Sequence, residues 1–333
     1  MSNRAPTMPS VWQRLLLAFT LLGALAALPG HVIAQGVYPS RPIRIIVPLP
    51  PGATADTLPR IIGEKLTLKW GQPVVIENRP GAAQNLGAEV VAKSEPDGYT
   101  LLATPQGPLV ISQSLYPKLG FDPTAFVPIT VLAHLPYVLV AHPSLQASTL
   151  DEFIALARGN PGKLNYASPG TGSSNQLAME WLKSLAGLPL THVPYKGAAP
   201  ALTDLLAGHV DIMFDNAGNV VQLIRDGRLK ALAVSSRTRM PELPAVPAIA
   251  ESFPEFVATS WFGLVAPPKT PPEIAALLSQ AIAEILKLPD VASRVRELTA
   301  TPVGSTPAET ASFFKEESER WRRVIVTVGV KPE

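Results

Sequence analysis

The 333-residue chain is 47% hydrophobic and 16% charged, with 28 basic against 26 acidic residues and no cysteine. Such a composition is globular, with material for two domains, and it excludes disulfide frameworks, thiolate metal sites and cysteine nucleophiles. Arg4 and Arg14 supply the whole excess of positive charge, so the remainder is formally neutral and offers no electrostatic footprint for nucleic acid or an anionic membrane surface.

Arg4 and Arg14 precede an apolar run from Leu15 to Leu28, which is broken by Pro29-Gly30 and followed by Val32-Ile33-Ala34. This pattern predicts a secretory leader over 1–34, cleaved after Ala34, and hence an exported, periplasmic protein. As a retained anchor the run falls short of the ~20 residues that span a bilayer. Residues 41–48 read as a buried strand, passing through Pro50-Pro51-Gly52-Ala53-Thr54-Ala55-Asp56 into a helix with Leu58, Ile61, Ile62 and Leu66 on one face. Asp56 near that helix start complements its dipole or receives an amino group of a ligand. A strand at 73–78, a helix at about 84–93 and a strand at 99–103 follow. The last ends in the loop Thr104-Pro105-Gln106-Gly107-Pro108, where a parallel sheet presents ligand contacts.

Strands are then expected at 129–132 and 137–141, with a helix at 150–158. The stretch 164–177 is the most informative. Leu164 to Ala167 reads as a strand, Ser168-Pro169-Gly170-Thr171-Gly172 as a loop of small residues, and Leu177, Ala178, Trp181, Leu182 and Leu185 as one helix face closed by Gly187. Ser173 and Ser174 stand where an N-cap belongs. A glycine-rich turn feeding a helix start leaves N–H groups at the positive end of the dipole, suited to a carboxylate or phosphate. The same residues also suit a well-capped turn with no ligand. The loop lacks the Gly-Lys-Ser/Thr ending of a nucleotide phosphate loop and the Gly-x-Ser-x-Gly elbow of a hydrolase. Further strands at 191–195, 210–214, 229–235 and 260–266 alternate with helices at 198–207, 220–225, 272–286, 290–298 and 307–326. The strand at 210–214 delivers Asp215 and Asn216 at its carboxyl end. The alternation predicts parallel α/β sheets, and their number predicts two lobes.

Chemistry is sparsely signalled. The histidines at 31, 134, 142, 192 and 209 form no metal-binding spacing. Ser173, His192 and Asp215 make a triad on paper, without a local motif to support it. Lys196 either meets an anionic ligand or is a solvated lysine. No cofactor or metal is expected.

Pro39-Ser40-Arg41-Pro42-Ile43, Pro50-Pro51-Gly52 with Asp56, Gly71 to Ala82, Pro96 to Leu102, Asn160 to Ser168, His192 to Gly197, Val210 to Asn216, Leu229 to Val234 and Ser260-Trp261-Phe262-Gly263-Leu264 together give the chain a family likeness. It resembles the extracytoplasmic solute receptors of the tripartite tricarboxylate transporters, the Bug proteins. The resemblance implies a two-lobed, flytrap-like periplasmic binding-protein fold of type II character, with lobe 1 at 37–136 and 261–333 and lobe 2 at 137–260. It implies capture of a small organic acid (di- or tricarboxylate, amino acid or aromatic acid) by a monomer, for membrane subunits of such a transporter. The implied ligand contacts are Pro51, Gly52, Ala53 and Asp56 from lobe 1, and Ser168, Gly170, Thr171, Gly172, Ser173, Ser174, Asp215 and Asn216 from lobe 2. On this reading Gly172→Pro abolishes binding and leaves the fold intact. Three positions depart from the family: Ala53 replaces a usual glycine, Leu49 a usual aromatic residue, and Gln106-Gly107-Pro108 a usual polar stretch. The rival reading is an exported serine-hydrolase-like α/β enzyme acting through the loop from Ser168 to Ser174.

Overall fold

A computed structural model describes residues 38–331; the leader expected at 1–34 lies outside the described residues. The fold is α/β and two-lobed. Strand β1 (Ile43–Val47) pairs in parallel with β2 (Val74–Asn78) and with β3 (Thr100–Pro105). Between them lie helices α1 (Thr54–Trp70) and α2 (Asn85–Ala92). A π-type turn at Gly107–Ile111 and the short α3 (Ser112–Leu115) lead to β4 (Val127–Ala141). The second lobe repeats the arrangement. Strand β5 (Asn165–Ser168) pairs in parallel with β6 (Thr191–Pro194) and β7 (Ile212–Asn216). Its helices are α4 (Leu150–Gly159), α5 (Ser174–Ala186), α6 (Ala198–Leu206) and α7 (Ala217–Arg225), and its last strand is β8 (Lys230–Val234). The chain returns through β9 (Thr259–Ala266) and closes with α8 (Pro272–Leu286), α9 (Pro289–Glu297), β10 (Thr301–Pro302) and α10 (Pro307–Val328).

In both parallel units the first strand lies between the next two, giving the orders β2-β1-β3 and β6-β5-β7. The connections after β1 and β5 therefore leave from points where the strand order reverses, and there a crevice opens at the carboxyl ends of the strands. That topology places the loops at 48–53 and 169–173 where ligands bind in open α/β sheets.

Two expectations need correction. The sheets are mixed, because β4 and β9 run antiparallel to each other, and each to its flanking strand β7 or β3. The two strands expected at 129–132 and 137–141 are one strand, β4, of 15 residues. Pro128 and Pro136 suggest interruption because neither can donate to a ladder. The strand absorbs them through register shifts between Pro128 and Thr130 and between Val131 and Ala133. At Pro136 it passes from β9 and β10 to β7 and β8, so no continuous ladder is demanded there.

Helix α5 follows the sequence reading closely. Ser173 is its N-cap, with Oγ accepting from Gln176 N–H at 3.3 Å, and Gly187 ends it in a left-handed conformation. Leu177 packs in the core of the first sheet, and Ala178, Met179 and Leu182 pack in that of the second.

The last helix is tied to β9 by Glu317, whose Oε2 accepts from Trp261 Nε1 at 2.8 Å and from Trp321 Nε1 at 3.3 Å. Its Oε1 accepts from Arg320 at 2.9 Å. Removing this acceptor leaves two buried indole N–H groups unpaired and takes the ion-pair partner from Arg320, which is partly exposed. Glu317→Ala is expected to cost about 3 kcal/mol by urea unfolding. Glu317→Gln keeps an acceptor and should lose distinctly less; equal losses would show that the hydrogen bonds are not what matters there.

Candidate functional site

Between β5 and α5 the loop is held by its own side chains. Gly170 N–H donates to Ser168 Oγ at 3.1 Å, Gly172 N–H to Gln176 Oε1 at 2.6 Å, and Ser173 N–H to the Gly170 carbonyl at 3.1 Å. Three of the expected ligand donors are thus spent inside the loop. The N–H groups of Ser174 and Asn175, the first two residues of α5, lack intrahelical acceptors by geometry. Side-chain bonds fix both residues: Ser174 Oγ lies 2.7 Å from Tyr137 Oη, and Asn175 Nδ2 donates to the Phe214 carbonyl at 2.9 Å. Burial pushes Tyr137 up to about 12, so its phenol stays neutral. Gly172 has φ +83°, and a Cβ there would stand 2.5 Å from Leu115. Gly172→Pro therefore disrupts the loop and does not isolate a ligand donor, contrary to the expectation from sequence.

On the facing side, Ala53 is the N-cap residue of α1. Thr54 donates from N and Oγ1 to Asn219 Oδ1, at 3.1 and 2.8 Å. Asp56 is saturated: Arg60 reaches it at 2.8 Å, Asn78 Nδ2 at 2.9 Å and Gly52 N–H at 3.3 Å. Burial opposes its ionisation, but these hydrogen bonds outweigh it and hold Asp56 below the usual carboxylate range. It anchors the turn. Pro51 is exposed, and Gly52 lines an adjoining groove rather than the cavity.

Strand β7 delivers Asp215 and Asn216 to the start of α7. Asp215 is fully buried, with Oδ1 accepting from Asn216 N–H at 2.7 Å and Asn219 Nδ2 at 2.8 Å, while Oδ2 has no partner. Desolvation pushes its pKa up to about 7, against those two hydrogen bonds.

These loops enclose a cavity of about 30 Å³, room for roughly two water molecules. Four helix starts line it: Ala53 and Ala55 of α1, Ser174 and Asn175 of α5, Ala198 and Ala199 of α6, Asn216 and Asn219 of α7. Leu49, Pro50, Gln84, Pro105, Pro169, Ser260 and Phe262 complete the wall, with no lysine, arginine or histidine among them. Each helix start carries partial positive charge, equivalent to roughly half a unit. The arrangement can hold an anion on neutral donors, and it supplies no cation and no exposed nucleophile. Gly170, Thr171 and Lys196 line an outer groove of about 970 Å³ that shares Leu49, Pro50, Gln84 and Pro169 with the cavity.

The paper triad is not assembled. Asp215 bonds Asn216 and Asn219, Ser173 Oγ caps α5, and His192 Nε2 lies 2.6 Å from Ser168 Oγ with Nδ1 3.2 Å from Gln176 Nε2. Ser168 is fully buried and also bonded to Gly170. Among the described residues no cluster of His, Cys, Asp or Glu could hold a metal ion.

Sequence reasoning overlooked Ala55, Asn175, Ala198, Ala199 and Asn219. The small residues Gly197-Ala198-Ala199 before Pro200 carried the same signal as the other helix starts. Gln84 carried none.

Residues 58–330 match the profile of the family described as the tripartite tricarboxylate transporter family receptor. Protein BugT of Bordetella pertussis is 39% identical over 321 residues, 96% of this chain and 98% of that one. A protein of R. palustris solved with adipate has a TM-score of 0.86 and 35% identity, covering 89% of this chain and 100% of its own. MatC of Rhodopseudomonas palustris with bound malate has a TM-score of 0.82 and 34% identity, covering 86% and 100%.

Asp215 makes stability depend on pH. Its folded value of about 7 stands above the ordinary 3.8, so its contribution is full below about pH 4 and is lost as pH rises to about 7. Asp215→Asn should remove that loss. The difference in urea-derived stability, wild type minus variant, is expected to fall by a few kcal/mol between pH 4 and 7 and then level off. A difference independent of pH would count against a strained carboxyl here.

Proposed function

The chain belongs to the tripartite tricarboxylate transporter receptor family, and from that premise we propose that it is a periplasmic receptor that captures a small carboxylate between its lobes and delivers it to membrane subunits of such a transporter. The observation that carries the reading is the meeting of four helix starts from both lobes around one cavity without a cationic side chain. A carboxylate there gains several charge-assisted hydrogen bonds, each worth ~1.5–3 kcal/mol. Three suffice for micromolar affinity, about 8 kcal/mol, with the surplus offsetting the ordering that closure costs. The acids held by the two R. palustris relatives support the class of ligand.

We place lobe 1 at 37–136 and 261–333 and lobe 2 at 137–260, with bending at Pro136 within β4 and at Ser260–Trp261 near the start of β9. Between the lobes Thr54 bonds Asn219, Tyr116 Oη donates to the Thr171 carbonyl at 2.9 Å, Gly218 lies against the Leu298 carbonyl, and Leu177 packs into the core of the first sheet. Ligand contacts to both lobes would add to these and favour the closed form. Among the described residues no helix is long and apolar enough to cross a membrane, and the leader at 1–34, cut after Ala34, would carry the chain to the periplasm. The role is capture without turnover, in keeping with a family of receptors and with the burial of Ser168.

Ala55 gives the clean test. It is the second residue of α1, where the N–H has no helical acceptor and proline is tolerated in the first turn. Screening di- and tricarboxylates, amino acids and aromatic acids by thermal shift should find at least one that raises Tm. Ala55→Pro should then weaken that acid by about 10- to 100-fold in calorimetric titration, with Tm of the free protein little changed. Undiminished affinity would remove the α1 start from the site, and no response to any acid would end the carboxylate reading.

A further inference from the structure

Gln84 enters the cavity on a strained turn. Ala82, Ala83 and Gln84 have φ of 46°, 49° and 77°, three consecutive non-glycine residues in the left-handed region. Isolated left-handed residues of this kind cost roughly 1–2 kcal/mol each, and such strain persists where surrounding structure enforces it, commonly at ligand clamps. The turn is closed by Gln84 N–H donating to the Gly81 carbonyl at 2.9 Å. Its product is a carboxamide that is 6% exposed, lines the cavity, and leaves Oε1 without a hydrogen-bond partner. Space for that oxygen depends on Gly107, where a Cβ would lie 3.2 Å from it.

The same cavity is lined by Asn216, whose buried Oδ1 is also unpaired, and behind it Asp215 Oδ2 is a third buried oxygen with no partner. Buried polar atoms left unpaired are costly and uncommon. Two of them belong to residues that line this cavity, Gln84 and Asn216, while Asp215 lines the adjoining groove. The helix starts supply donors for a carboxylate; these oxygens ask for donors from the ligand.

We infer that Gln84 is a selectivity-setting residue and that the ligand is a carboxylic acid that also carries a hydrogen-bond donor, a hydroxyl or an amino group, close to its carboxyl. This rests on the carboxylate reading above. The carboxyl lies on the first turns of α1 and α5, and the donor faces Gln84 and Asn216.

Calorimetric titration of the purified protein with two matched series tests this: propionate, lactate and alanine, then succinate, malate and aspartate. Within at least one series the hydroxy or amino acid should bind at least tenfold more tightly than the unsubstituted acid, and which of the two wins separates hydroxyl from ammonium. Gln84→Leu should bring the ratio within about twofold of unity. Gln84→Gly, which relieves the left-handed strain, should do the same with an unchanged or raised Tm, so loss of discrimination is not misread as misfolding. Equal binding across both series, or discrimination that survives both substitutions, overturns the inference. Adipate binding while both short series fail also overturns it but leaves the carboxylate reading standing; failure of every acid removes both.

Discussion

The first turn of an α-helix carries N–H groups that the helix itself cannot satisfy, and much of this molecule is arranged by how those groups find partners. At the start of α5 the demand is divided. Gln176 Oε1 takes the Gly172 N–H of the loop and Ser173 Oγ takes the Gln176 N–H, while Ser174 and Asn175 line the cavity. At α1, Thr54 is satisfied by Asn219 of the other lobe. A helix start thus serves as a clasp between lobes at Thr54 and as cavity wall at Ser174 and Asn175. Backbone donors can hold an acid without specifying the rest of it. Selectivity must come from the side chains that complete the wall.

Bringing helix starts from two lobes together imposes a constraint on the sheets. Each parallel unit presents its loops at one edge only, the carboxyl ends of its strands. Facing the two edges across a cleft requires a chain that leaves one sheet and enters the other without covering either. Strand β4 does this by changing neighbours at Pro136, and β9 returns beside it. The prolines that would damage a central strand lie where pairing shifts or passes between sheets, so the ladder loses little and a bend remains available.

Much of this was legible in the sequence. The capped start of α5, its apolar face and its glycine stop follow from residues within one turn of each other, as does the small-residue start of α1. Legibility failed where the outcome depends on a partner distant in sequence. Whether the Gly172 N–H is free is decided by Gln176 folding back on it, and Asp56 is an anchor because Asn78 and Arg60 converge on it. The unity of β4 was hidden because Pro128 and Pro136 mark interruption in any local reading. Gln84 was invisible for a related reason: left-handed φ at three non-glycine residues contradicts local preference and is imposed by packing.

The two aspartates at helix starts show why neutrality of the wall matters. Asp56 is ionised, and Arg60 bound to it cancels its charge locally. Asp215 has no such cation and is buried among neutral groups, so it titrates near pH 7. Ionised, its full negative charge would offset the fractional positive ends of about two helices. Protonated, it leaves the field of all four intact. A buried aspartate with half its carboxyl unpaired is a poor stabiliser of the fold, and equally a poor neighbour for a bare dianion. Its charge state therefore sets how much of the positive field of the helix starts reaches the cavity beside it.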